Sequence, residues 1–150
     1  MRRYYSGVGS RKTPPTIQDT MRRIAESLSG QGFTLRSGGA DGADSAFEDG
    51  AGPAKEILVP WPNFNGRSHG ITPPNPEHAM ALAARHHPGW RNCGQAARTI
   101  HARNVCIVLG PDLATPSEFV ICWTPDARAS GGTGQAVRVA RAYGIPVIFL

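Results

Sequence analysis

Apolar positions along the chain alternate between short continuous runs and wider helical spacings, and each switch marks an element. Arg3 to Val8 (RYYSGV) is a β-rich run ending in Gly9, Ser10 and Arg11, which predicts a strand and a loop. Thr13 then stands where a helix cap belongs, and Pro14 and Pro15 suit a first helical turn. Ile17, Met21, Ile24, Ala25 and Leu28 follow at helical spacing until Gly30 and Gly32 stop them. Phe33 to Leu35 predicts a second strand, running into SGGADGAD (Ser37 to Asp44). Ala43, Ala46 and Phe47 mark the buried face of a second helix, ended by Gly50 and Gly52, and Glu56 to Val59 predicts a third strand closed by Pro60.

The middle of the chain has a different texture. Pro60 to Pro76 is crowded with proline, glycine and asparagine and is too long for a simple connection, so it reads as a functional lid or a surface excursion. Glu77 to His86 is helical in pattern. A further helix is expected from Arg91, with Cys93, Ala97, Ile100 and Ile107 on one face and the polar Asn104 on the same stripe, although Val105 to Leu109 also suits a strand by composition. Glu118 to Trp123 (EFVICW) is a nearly continuous apolar run, as in a parallel strand buried on both faces. ASGGTGQAVRVARAYG follows as a glycine loop opening a helix, with Ala136, Val137, Ala140 and Tyr143 expected inward, and Ile145 to Leu150 is a last buried strand. The alternation predicts the α/β class: a Rossmann-like three-layer α/β/α unit with a mostly parallel five-stranded sheet. A single domain is expected over 1–150, with an irregular helical insertion at about 60–116.

Composition narrows the chemistry. A chain of 150 residues suffices for one domain with its own core. The formal charge of +5 comes almost wholly from arginine, since Lys12 and Lys55 are the only lysines, and guanidinium forks suit phosphate oxygens. Cys93, Cys106 and Cys122 fit neither a disulfide framework nor a zinc motif, which points to a reducing, cytoplasmic setting. The N-terminus lacks an apolar stretch of membrane length, so no membrane partner is expected. His69 and the pair His86–His87 have no carboxylate or cysteine at ligand spacing, so neither a metal nor a cofactor is expected.

Three strands thus end in glycine-bearing loops: Gly7 to Arg11, Ser37 to Asp44, and Ser130 to Gly134. In an open parallel sheet such loops share one edge, where close backbone approach and helix N-termini favour an anion. Ser10, Ser37 and Thr133 add hydroxyls, and Arg11 adds a charge. Trp123, Thr124 and Asp126 leave the fourth strand at the same edge, either to touch a base or ribose or to shape the turn. Arginines near Trp61, Phe64 and Trp90 suggest stacking surfaces, or simply loop anchors.

GSRKTPPT, a helix, and then GFTLRSGGADGADSAFEDGA resemble the DprA/Smf family, whose pattern is a GSR-type strand end followed by S-G-x-A-x-G-x-D. SGGTGQA is similar to the glycine loop of the LOG phosphoribohydrolases, another branch of the wider SLOG superfamily, whose short stand-alone members include bacteriophage proteins. The resemblance implies a site for the phosphate and ribose of a nucleotide, lined by Gly9, Ser10, Arg11, Ser37, Gly38, Gly39, Ala40, Gly42, Asp44, Gly131, Gly132, Thr133 and Gly134, with Asp41 beside it. It implies a nucleotide or nucleotide derivative as ligand, single-stranded DNA as an alternative partner in recombination, and homodimerisation. It also raises an N-glycosidase alternative, for which Asp44 and Glu48 would be the catalytic carboxylates. Two departures bear on these: Asp41 stands where DprA proteins tend to hold a basic residue, and Arg138 stands where the LOG pattern has glutamate.

Overall fold

β1 (Arg3–Gly9) is the middle strand of a five-stranded sheet in which every pairing is parallel. This is a computed structural model, and it describes residues 2–127 and 131–150. On one side of β1 lie β2 (Phe33–Ser37) and then β3 (Lys55–Ile57); on the other lie β4 (Val120–Trp123) and then β5 (Val147–Phe149). The helices are α1 (Pro15–Gly30), α2 (Ala43–Ala51), α3 (Pro76–His86), α4 (Gln95–Leu109) and α5 (Gly131–Ala142). Five parallel strands between helical layers make a three-layer α/β fold of Rossmann-like type.

The two-residue period of the strands divides the core into two layers. Tyr5, Leu35, Ile57, Val59 and Ile121 point to one face and pack with Met21 and Ala25 of α1 and Ala43, Ala46 and Phe47 of α2. Val8, Leu58, Val120 and Cys122 point to the other, where α3, α4 and α5 supply Leu82, Val105, Val108, Val137 and Ala140. Phe47 is wholly buried, and a side chain of that size contributes on the order of 1.5–3 kcal/mol by leaving water.

Several expectations change on contact with this packing. Of the two readings left open for Val105 to Leu109 the helical one holds: they are the second half of α4, and His101 to Leu109 are all buried. An apolar run therefore covers every side of a helix that is enclosed all round. The span expected as an irregular insertion thus contains α4, the helix by which the chain crosses from β3 to the far side of β1. The helix starts at Gln95 rather than Arg91, because Trp90–Asn92 form a separate 3-10 turn, and Cys93 precedes α4. Tyr143 is exposed, lying beyond the end of α5. Thr13 does not cap α1: its hydroxyl donates to the Ser10 carbonyl at 2.6 Å, and Pro14 occupies the cap position. β3 stops at Ile57, after which Leu58 bridges Ile71 of the long connection. Among the described residues no helix is long and apolar enough to cross a membrane.

Candidate functional site

Strand order reverses direction between β1 and β4, and in open parallel sheets ligands bind beyond the carboxyl ends of the strands at such a point. A cleft of about 500 Å³ opens there. The end of β1 contributes Gly9, Ser10 and Arg11; the β2–α2 loop and α2 contribute Ala40 and Asp44; β4 contributes Thr124 and Pro125; and α5 brings Gly131, Gly132 and Thr133. Phe64, Ile100 and Ile107 supply apolar wall, and Arg103 and Asn104 of α4 lie against it.

The loops are held rigidly by their own backbone. The Ser10 carbonyl accepts from Thr13 N at 3.2 Å, from the Thr13 hydroxyl and from Ala43 N at 3.3 Å, so the loop after β1 is tied to the start of α2. Gly42 makes that junction at φ +79°, and a Cβ there would lie 2.5 Å from the Arg11 carbonyl oxygen. No other residue fits. Gly38 is constrained from the opposite side: a Cβ would fall 2.7 Å from Asp44 Oδ2 and 2.9 Å from Arg103 Nη1. The missing side chain leaves room for the Asp44 carboxyl and the Arg103 guanidinium beside the same stretch of backbone.

Arg103 is buried and donates to the Gly38 carbonyl at 2.6 Å, the Leu58 carbonyl at 3.1 Å and Asn104 Oδ1 at 2.9 Å. Asn104 passes this on, donating through Nδ2 to the Gly132 carbonyl at 3.1 Å, so α4 anchors the first turn of α5. Asp44 Oδ2 accepts from Ala40 N at 3.2 Å. Burial pushes the Asp44 carboxyl up to about 6, with the Arg103 charge and the Ala40 amide opposing only part of that rise. Asp44 and Arg103 form no direct ion pair, and the guanidinium is satisfied by carbonyls instead.

Glu48, one turn further along α2, faces a separate hollow with Ser45, Lys55 and Arg67. Its carboxylate takes Lys55 Nζ at 2.9 Å, Arg67 Nε at 3.1 Å and His69 Nε2 at 3.2 Å. Burial acts to raise its pKa, and the Lys55 and Arg67 contacts outweigh it and hold the group below the ordinary value. The two carboxylates expected to act together thus lie in different cavities, because tertiary partners separate what helical spacing aligned.

Of the other residues expected at the site, several stand behind the cleft wall. Ser37 is fully buried and its hydroxyl donates to the Gly7 carbonyl at 2.6 Å, so it offers no proton to a ligand. Gly38 and Gly39 are buried, with the Gly39 carbonyl accepting from Asn65 Nδ2 at 2.9 Å. Asp41 is exposed and accepts from the same Asn65 amide at 3.0 Å. Trp123 packs against the α1–α2 side of the core, Gly134 is buried in α5, and Asp126 is exposed after β4. Ser130, the first residue of the third glycine loop, lies outside the described residues. The sequence marks Asn104 only as a polar position on an apolar stripe, and it does not place Arg103, Ile100, Ile107 or Pro125 at the cleft. The available signal was a polar pair interrupting the apolar stripe of α4.

The expectation that the histidines lack metal-ligand neighbours also changes. His69 rests on Glu48, and the turn at Trp90–Asn92 folds Cys93 back toward His87, where α4 supplies His101. Linear spacing does not register ligands brought together by three elements.

No family model matches the chain, and no curated protein matches it. Among solved structures it is similar to DNA processing protein A from Helicobacter pylori, described for its single-stranded DNA binding mode. The TM-score is 0.67 at 20% sequence identity, over 98% of this chain. The chain spans 64% of the length of that protein. The likeness is one of fold, and the fold is DprA-like.

Proposed function

We propose that the protein binds a phosphate-bearing nucleotide or nucleotide derivative in the β1/β4 cleft, as a ligand-binding protein of the SLOG type. The observation that carries this reading is the convergence of Ser10 and Arg11 with the N-terminal turn of α5 on one concavity of nucleotide size. Arg11 is exposed and its guanidinium has no side-chain partner among the described residues, so it can close on a phosphate. The α5 N-terminus adds backbone donors and a favourable dipole. Phe64, Ile100 and Ile107 offer apolar surface to a base, and Asp44 and Thr124 are the polar groups toward a ribose.

A second reading, in which the same cleft takes one nucleotide unit of single-stranded DNA, is favoured by the fold of the Helicobacter protein and by the formal charge of +5. Titration with nucleoside mono- and diphosphates and with a thymidine oligonucleotide, at two salt concentrations, separates the two. Binding of the free nucleotide is expected, with weak salt dependence. Binding of the oligonucleotide alone, falling steeply with salt through counterion release, would reverse the order. Arg11→Ala is expected to weaken either ligand by about tenfold or more with an unchanged melting temperature, since a charge-assisted phosphate contact is worth roughly 1.5–3 kcal/mol. Undiminished affinity in that variant removes the cleft as the site.

A further inference from the structure

We propose that His87, Cys93 and His101 form a zinc site that fastens the connection between α3 and α4. The three side chains each offer one ligand atom, and these atoms lie within 4.8 Å of one another. A tetrahedral zinc ion with two nitrogen ligands and one sulfur holds its ligand atoms about 3.3–3.7 Å apart, from the usual Zn–N and Zn–S lengths. Closing the remaining gap takes a movement of about 1 Å on that same geometry. His87 and Cys93 can make it, since both are only half-buried and flank a short connection rather than sitting inside a helix.

His101 supplies the independent sign. It is 9% exposed, and its Nδ1 is buried without a hydrogen-bond partner. Buried polar atoms in native proteins are almost always satisfied, so an orphaned imidazole nitrogen beside a thiol and a second imidazole calls for an electrophile. The His87 and His101 rings have centroids 4.2 Å apart and are tilted by 53°, so they do not stack face to face. Two imidazoles and a thiolate form a borderline-soft donor set, which selects zinc over magnesium or calcium.

Ligation has two local consequences: a deprotonated Cys93 sulfur no longer donates to the Gly89 carbonyl, which it reaches at 3.5 Å, and the Gly89 amide loses its acceptor. Gly89 N now donates to His87 Nδ1 at 3.0 Å. Whichever ring nitrogen binds the metal, the neutral imidazole no longer has a lone pair for that amide. The Gly89 amide resonance is therefore a specific reporter.

The test uses the full chain freed of metal and titrated with Zn²⁺, and separately with Co²⁺. The expected result is one ion per chain, a thiolate-to-cobalt charge-transfer band, and a shift of the Gly89 amide. Cys93→Ser should abolish the band and weaken zinc binding by more than tenfold while the metal-free variant melts as the parent does. His69→Ala, at the Glu48 cluster, should leave all three signals intact. No stoichiometric binding, or a band and affinity undiminished in Cys93→Ser, overturns the proposal.

Discussion

Asp44 and Glu48 sit one turn apart on the same helix and end up with opposite electrostatics. Glu48 meets Lys55, Arg67 and His69 and is held ionised. Asp44 faces a buried guanidinium that is already occupied by carbonyls, and its carboxyl rises to about 6. The difference teaches that burial decides the charge state only where cations do not make direct contact. A group poised near neutrality belongs to a cleft; a saturated one belongs to the scaffold.

The comparison breaks most severely at Arg103. Arg103→Met removes the donors to the Gly38 and Leu58 carbonyls and the positive charge that opposes the rise of the Asp44 carboxyl. A loss of about 3 kcal/mol or more is expected in chemical denaturation, from stranding buried acceptors. A loss below 1 kcal/mol, on the order of a surface change, would show that Arg103 is not integral to the floor.

Asp44→Asn sharpens it. Because the folded-state pKa of Asp44 lies above its unfolded value, its contribution is fully present below about pH 4 and is lost as pH rises through about 6. Relative to the parent, the asparagine variant should gain roughly 2–3 kcal/mol on going from pH 4 to pH 8. Denaturation midpoints across that range measure it, and parallel pH profiles for the two proteins would contradict the raised pKa.

The smallest effect is expected at Glu48→Gln. Its partners are partly solvated, so the change should cost about 1 kcal/mol or less at neutral pH. The sign reverses relative to Asp44: the Glu48 contribution is present above the ordinary glutamate pKa and fades as pH falls through its lowered folded value. Ligand affinity should not change, and a large loss of nucleotide binding would place Glu48 functionally in the cleft after all.

The sheet and four of its flanking helices were legible because their apolar spacing is set by one buried face. Met21 and Ala25 of α1, or Ala43 and Phe47 of α2, announce themselves in this way. α4 hid its type because enclosure on all sides erases periodicity, so Val105 to Leu109 reads equally as strand. The edge carrying the cleft was also legible, since Gly9, Gly42 and Gly131 stand between strands and the helices that follow β1, β2 and β4. Which side chains enter it was not: Ser37 and Glu48 were spent on partners distant in sequence, Gly7 and Arg67 among them. The His87, Cys93 and His101 cluster was invisible for the same reason. Its members come from a helix end, a connection and a second helix, and their spacing follows no motif.

All-parallel pairing also gathers several open glycine turns away from the cleft. β2, β3 and β5 are entered from the side opposite the cleft through the turns at Gly32, Gly52 and Gly144, and a Cβ at any of these glycines, or at Gly30 in the last turn of α1, would meet nothing within 4 Å. Gly30 does so without the left-handed backbone of the other three. A fluorophore, biotin or surface tether attached at Gly30 would hold the protein by the end away from the cleft and present the cleft outward, which makes immobilised binding assays geometrically straightforward.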